Sequence, residues 1–136
     1  MRTYTIIGGV NGVGKSSFTG VLKERCTDLG TIIDVDKITA ELGGNALAGG
    51  KAALTKINEC IEKGVSFTQE TPLSEWHTEA TAKEVVEKGY RVRMYYIVLD
   101  SAAESAVSQA AGRLWKRYSR IVTRRSSTTM TTVSSW

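Results

Sequence analysis

The sequence predicts a three-layer α/β/α fold on a mainly parallel sheet of four to five strands, and three observations carry that prediction. Short apolar or β-branched runs alternate with stretches of helical period over most of the chain. Glycine, acidic or hydroxyl residues follow these runs, at what would be the carboxyl ends of strands. The intervening segments are long enough for crossover helices, and right-handed crossovers put helices on both sides of a parallel sheet.

The first strand is Tyr4-Thr5-Ile6-Ile7, and behind it Gly9 to Ser16 fits G-x-x-x-x-G-K-[ST]. Ser16 to Leu29 then reads as a helix carrying Phe18, Val21, Leu22 and Leu29. Strand, loop and helix stand in the order that a phosphate-binding P-loop requires. In such a loop the backbone N–H groups of Gly9, Val10, Asn11, Gly12, Val13 and Gly14, with Lys15, Ser16 and Ser17, cradle phosphate oxygens at a helix N-terminus. Lys15 reaches the β- and γ-phosphates, and the Ser16 hydroxyl is the expected ligand of Mg²⁺. ATP or GTP with Mg²⁺ is the expected co-substrate. A loop of this kind reads phosphates and leaves the base open.

At 136 residues the chain holds one domain, expected over 1–118, and is short for a P-loop kinase. No 18-residue apolar run and no signal-peptide pattern appear, so a soluble, cytoplasmic protein with no membrane partner is expected. Cys26 and Cys60 fall on predicted helices without metal-type spacing and read as reduced thiols. The net charge of +4 is unevenly placed: residues 1–112 hold twelve Lys/Arg against fourteen Asp/Glu, and residues 113–136 hold six Lys/Arg and no acid. A nucleic-acid role would rest on that tail alone, which carries no recognition module, so nucleic acid is not an expected partner.

Gly30 fits a helix stop, and Thr31-Ile32-Ile33 reads as a strand delivering Asp34-Val35-Asp36-Lys37 at its carboxyl end. Strand alternation would turn Asp34 and Asp36 the same way. One is expected to cap a helix over Lys37–Leu42 and the other to act on substrate. Gly43, Gly44, Gly49 and Gly50 bracket a connection that reads equally as a substrate-side lid or a plain linker. Lys51–Lys63, with Ala53, Leu54, Ile57 and Ile61, reads as a helix ending at Gly64. A strand over Val65–Gln69 then delivers Glu70, Thr71 and Pro72 to the same edge.

Glu75–Lys88 is predicted helical, with Trp76, Ala80, Val85 and Val86 on its buried side, and the single histidine, His77, near its start reads as filler. Arg91–Asp100 is the longest strand signal. Ser101–Tyr118 opens with the capping pair Ser101 and Glu104 and continues as an Ala-rich helix. Arg120–Arg125 suggests a short edge strand, whereas Ser126–Trp136 is Ser/Thr-rich without period, and the 119–136 tail is expected to end in disorder. With only four strands the sheet edge beyond the last would stay open, and self-association through it is expected.

Three segments resemble the zeta-toxin-like P-loop kinase family: the Gly9–Ser17 loop, Ile33-Asp34-Val35-Asp36-Lys37-Ile38, and Gly64-Val65-Ser66-Phe67-Thr68-Gln69-Glu70-Thr71-Pro72-Leu73-Ser74. Gly89-Tyr90-Arg91-Val92 through Leu99-Asp100-Ser101 is similar to the same family's following strand, and the resemblance covers roughly 3–113. It implies transfer of the γ-phosphoryl group of ATP or GTP to a small-molecule hydroxyl, a sugar nucleotide such as UDP-N-acetylglucosamine in the best-known members. It also implies an antitoxin partner. By position the resemblance assigns the catalytic base to Asp36, with Asp34 its rival on the residues alone. Asp34 is then a substrate-side candidate, and Glu70 and Thr71 are substrate-side or metal-side ones.

The carboxyl end departs from the family. The first of the family's charge-neutralising arginines falls on Gln109 and the second on Arg113, the catalytic candidate, and no Gly-Gly-His segment follows. Residues after about Gly112 are therefore expected not to be the family's own ending, through truncation or a change of reading frame. An arginine of this kind contributes about 10³-fold or more to rate. Its loss opens the alternative of a nucleotide-binding remnant or regulatory domain with little turnover.

Overall fold

The computed structural model describes residues 2–8, 15–71, 76–98 and 129–134. In chain order the elements are β1 (Thr3–Gly8), α1 (Lys15–Arg25), β2 (Thr31–Asp34), α2 (Val35–Glu41), α3 (Ala46–Lys63), β3 (Phe67–Thr71), α4 (Trp76–Glu87), β4 (Arg91–Val98) and β5 (Thr129–Ser134). The five strands form one sheet in the order β2-β3-β1-β4-β5, and every neighbouring pair is parallel. The α/β class is therefore as the alternation of elements predicts.

The strand order sorts the helices. From β1 the chain steps to the β2 edge through α1, whereas β2 to β3 and β3 to β4 step the opposite way. Right-handed crossovers therefore place α1 on one face and α2, α3 and α4 on the other. The core follows that division. Tyr4, Ile6, Ile33, Phe67, Val92 and Met94 from the sheet pack with Ile38 of α2, Ile57 and Ile61 of α3, and Val85 of α4. On the α1 face a smaller cluster joins Ile7, Phe18, Leu22, Leu29 and Ile97.

Within the larger cluster Tyr4 and Phe67 stack with centroids 4.8 Å apart, and the Phe67 ring meets Tyr90 edge-on at 6.0 Å. The Tyr90 hydroxyl donates to the Val65 carbonyl at 2.8 Å, so its polar end is satisfied as the ring is buried. Full burial of side chains of this size contributes about 1.5–3 kcal/mol each, so this face supplies most of the apolar stabilisation.

Several expectations are corrected. The P-loop helix stops at Arg25, so Gly30 does not end it. Gly30 has φ +62°, and a Cβ there would stand 1.8 Å from the Ser66 carbonyl oxygen; the glycine lets the turn before β2 pass against the segment before β3. Strand β3 runs two residues later than expected, which puts Glu70 and Thr71 inside the strand. Ala80, expected on a buried side, is exposed, as are Val21 and Leu54 among the apolar positions named on the other helices.

Gly49 and Gly50 do not lie in a loop. The Asn45 side chain accepts from Ala48 N at 3.1 Å, and α3 starts at Ala46, one and a half turns before the expected Lys51. A Cβ on Gly49 would lie 1.9 Å from Thr39 Oγ1 and 2.9 Å from its Cα, so this glycine sets how closely α3 crosses α2. That packing requirement outweighs glycine's poor helix propensity of about 1 kcal/mol.

The segment after residue 126, expected to be disordered, supplies β5 over Thr129–Ser134. It pairs in parallel with β4 from Arg93↔Thr129 to Val98↔Ser134, which closes the edge expected to remain open. The β-branched residues Thr129, Thr131, Thr132 and Val133 suit a strand, and main-chain pairing with β4 needs no amphipathic period. The remainder of the tail, the helix expected over 101–118 and the edge strand expected over 120–125 lie outside the described residues.

Candidate active site

Three elements converge at the carboxyl edge of the sheet. Helix α1 begins at Lys15, which is buried, and its first turn is tied by Thr19 Oγ1 donating to the Lys15 carbonyl at 2.9 Å. Ser16 follows, with its Oγ 3.2 Å from Glu70 Oε1 and 3.4 Å from Asp34 Oδ2. The hydroxyl has one proton to donate, and two carboxylates stand ready to accept it.

Register explains why these groups meet. Asp34 and Glu70 are Cα partners in the β2–β3 pair, and Glu70 is level with Ile7 of β1, just before the chain enters the Gly9–Ser16 motif. Alternation turns Ile32 and Asp34 to the α1 face together with Thr68 and Glu70. The α1 N-terminus therefore lies over two neighbouring carboxylates.

Glu70 is 5% exposed. Burial, and then the charge of Asp34, push its carboxyl above the ordinary value, while the Ser16 hydrogen bond and the charge of Lys15 pull the other way. A carboxylate held where it resists ionisation, beside a second carboxylate and a hydroxyl, is a set of hard oxygen donors short of positive charge. Among the described residues there is no group of three or more His, Cys, Asp or Glu that could hold a metal ion. Mg²⁺ needs no such group, because it is commonly held by one or two carboxylates, waters and substrate phosphates. The residues present fit that ion.

The two candidate aspartates part company. Strand β2 ends at Asp34 and α2 begins at Val35, so the alternation expected to turn both side chains one way does not reach Asp36. Asp34 Oδ1 accepts from Lys37 N at 3.1 Å and caps α2, while its other oxygen faces Ser16. Asp36 stands exposed in the first turn of α2. Thr71 is fully buried at the end of β3. Gly9, Val10, Asn11, Gly12, Val13, Gly14, Gln109 and Arg113 lie outside the described residues, as does the side chain of His77.

From this edge a cleft of about 320 Å³ runs down the β2 side of the molecule, lined by Ser16, Asp34 and Glu70 and by Thr19, Lys23, Lys37, Glu41 and Lys56. Sequence reading passed over Thr19, Lys23 and Lys56. Thr19 and Lys23 follow Lys15 at intervals of four on α1, and that helical period is the one signal that could have found them. Nothing local marks Lys56, because α3 reaches the cleft only through its crossing with α2.

No protein-family model matches the chain, and no curated protein sequence matches it. Among solved structures it is similar to a protein from Chloroflexus aurantiacus described as a "putative kinase", with TM-score 0.63 and 13% identity over 98% of this chain and 88% of that one. It is also similar to a structure from the PezAT chromosomal toxin-antitoxin system of Streptococcus pneumoniae, with TM-score 0.60 and 17% identity. That match covers 88% of this chain and 57% of the other. The fold is that of the P-loop kinase-like α/β proteins.

Proposed function

We propose that this protein is a phosphotransferase that moves the γ-phosphoryl group of ATP or GTP to a hydroxyl of a small molecule. The observation that carries the reading is the Ser16 hydroxyl, at the end of the Gly9–Ser16 motif and in the first turn of α1, held between the Asp34 and Glu70 carboxylates at adjacent strand ends. Phosphoryl transfer asks a protein for positioning and for charge at the phosphates rather than for covalent chemistry. Lys15 and the α1 N-terminus supply positive charge there.

Ser16, with Asp34 and Glu70 beside it, would hold Mg²⁺. Bound there, the ion neutralises charge developing on the phosphates. Asp36, exposed and one residue into α2, is the proposed base that accepts the proton of the acceptor hydroxyl. Arg113 is the proposed second cation. Within the same reading, the likeness to the PezAT toxin-antitoxin structure supports an antitoxin partner, and the sequence resemblance to zeta-toxin-like kinases supports a sugar-nucleotide acceptor.

The test is transfer of labelled γ-phosphate from ATP with Mg²⁺ to UDP-N-acetylglucosamine, comparing the natural chain with Lys15→Ala and Asp36→Asn. Labelled product is expected, falling by about 10²-fold or more in each variant. Lys15-dependent ATP binding without product from any hydroxyl acceptor would replace this reading with a nucleotide-binding domain that does not turn over.

A further inference from the structure

Helix α1 buries Lys15, Phe18, Thr19 and Leu22, and Thr19 is the one whose burial neither the apolar cluster nor the phosphate-binding motif accounts for. It is 3% exposed and lines the cleft together with Ser16, Asp34 and Glu70. A buried threonine on a helix commonly satisfies its hydroxyl within its own turn, and Thr19 Oγ1 does lie 2.9 Å from the Lys15 carbonyl oxygen. As a helical carbonyl, however, Lys15 already receives the Thr19 main-chain N–H. The hydroxyl is not needed there, and valine would fill the same space. Its other neighbour is Glu70. Burial and the charge of Asp34 push the Glu70 carboxyl up, and a hydrogen bond from Thr19 joins those of Ser16 and the charge of Lys15 in opposing them.

We infer that Thr19 is a positioning residue, whose hydroxyl fixes the Glu70 side chain beside Ser16 in the orientation from which Glu70 helps to hold Mg²⁺. The inference rests on the phosphotransferase reading and adds to it a residue that ligates nothing itself. The argument is one of proton supply. Ser16 Oγ stands 3.2 Å from Glu70 Oε1 and 3.4 Å from Asp34 Oδ2, and its single proton serves one carboxylate at a time. Asp34 is anchored independently, because its other oxygen accepts from Lys37 N. Glu70 has the longer side chain, with one more rotatable bond, and is the carboxylate that needs a second donor. The Thr19 hydroxyl turns its proton from a carbonyl that is already satisfied to a carboxylate that is not. Thr19 lies one helical turn beyond Lys15 and Ser16, so the bond ties Glu70 to the same stretch of α1 that carries the phosphate contacts. Outer partners of this kind set where a metal-side carboxylate points.

The test is calorimetric binding of a non-hydrolysable ATP analogue to the full chain, with Mg²⁺ and again with EDTA, for the natural protein, Thr19→Val and Thr19→Ser. In Thr19→Val the gain in affinity that Mg²⁺ brings is expected to fall by about tenfold or more, as for the loss of an outer partner, while affinity in EDTA stays unchanged. Thr19→Ser keeps the hydroxyl and is expected to restore the gain. Matching thermal midpoints without ligand show that the variants fold, and Thr19→Ala takes the place of a valine variant that melts early. No Mg²⁺ gain in the natural protein, or a gain that survives in Thr19→Val, overturns the inference. So does an equal loss with and without Mg²⁺, which a mere tie within α1 would produce. A loss that Thr19→Ser fails to restore overturns it as well, because the methyl group would then be what matters. Labelled-phosphate transfer in parallel separates the two readings. A Thr19-dependent Mg²⁺ gain without transfer to any hydroxyl acceptor sinks the phosphotransferase and keeps the positioning role, while transfer by Thr19→Val at the natural Mg²⁺ requirement does the reverse.

Discussion

The two faces of the sheet do different work. The face under α2, α3 and α4 is a broad apolar core in which Tyr4, Phe67 and Tyr90 interlock and no described acid or base is part of the cluster. The α1 face has a smaller apolar cluster, and around it lie charged groups: Asp28 with Arg91 and Arg93 toward the amino ends of the strands, and Asp34 with Glu70 at the carboxyl ends. One face is apolar, and the other adds charged groups, Asp34 and Glu70 among them at the proposed phosphate site. That arrangement follows from the connections. Among the described residues three helices lie on the first face, whereas α1, eleven residues long, lies on the second.

The largest expected difference between the faces is in truncation. Phe67→Ala should destabilise by about 3–5 kcal/mol, since the ring is fully buried between Tyr4 and Tyr90. Leu22→Ala on the α1 face should lie near the lower end of about 2–5 kcal/mol, because its cavity opens toward a thinner layer. Urea midpoints for the two variants check this ordering, and a costlier Leu22→Ala would break it.

Next in size is Gly49→Ala, which forces α3 away from α2. A loss of about 1–3 kcal/mol is expected, partly recovered when Thr39→Ala removes the hydroxyl that the new methyl strikes. Full additivity of the two changes in a double-mutant cycle would show that the crossing yields without Thr39.

Asp28 sharpens the contrast at the amino-terminal end of the α1 face. Burial alone would raise its carboxyl, but the hydrogen bond and charge of Arg93, together with hydrogen bonds from Thr3 and the backbone, outweigh it and leave Asp28 below the ordinary value. Its folded pKa is thus lower than its unfolded one, so the stabilisation is present above an unfolded value of about 3.9 and is lost as pH falls through the folded value. Asp28→Asn should cost about 1–2 kcal/mol at pH 7 and flatten the acid limb of the stability curve below about pH 4. An acid limb identical to that of the natural chain would place the titration elsewhere.

The smallest effect has the opposite sign. Glu70 is raised, so its ionisation opposes folding once pH climbs above the unfolded carboxylate value. Glu70→Gln should raise the thermal midpoint at pH 7 slightly while weakening Mg²⁺-dependent nucleotide binding, the trade expected where a site holds unfavourable charge. A lower midpoint would mean that Ser16 and Lys15 stabilise the carboxylate by more than burial and Asp34 oppose it.

Local signals made much of the fold legible. The Gly9–Ser16 spacing, the β-branched run before Asp34 and the helical period of Ala53, Ile57 and Ile61 each report on neighbours within a few residues. The errors occur where a distant contact decides. Gly49 looks like part of a loop until Thr39 of the next-door helix is placed against it, and Gly30 like a helix stop until the Ser66 carbonyl is. The Ser/Thr-rich end has no amphipathic signal, because a parallel edge strand is held by the main chain of β4. At the site, Asp34 and Glu70 were named from sequence as separate strand ends. Their meeting on one hydroxyl depends on the register of β2 against β3.

By itself the sequence determined the element types, the α/β class and the phosphate-binding motif, since those rest on period, capping and glycine spacing along the chain. Only the tertiary structure decided that Asp34 caps α2 while facing Ser16, that β5 covers the outer edge of β4, and that three lysines from three helices line one cleft. The physical reason is range: hydrogen bonds within a helix or turn join residues a few positions apart. The contacts of Ser16 with the two strand-end carboxylates join residues 18 and 54 positions apart, and no local pattern of side chains encodes those distances.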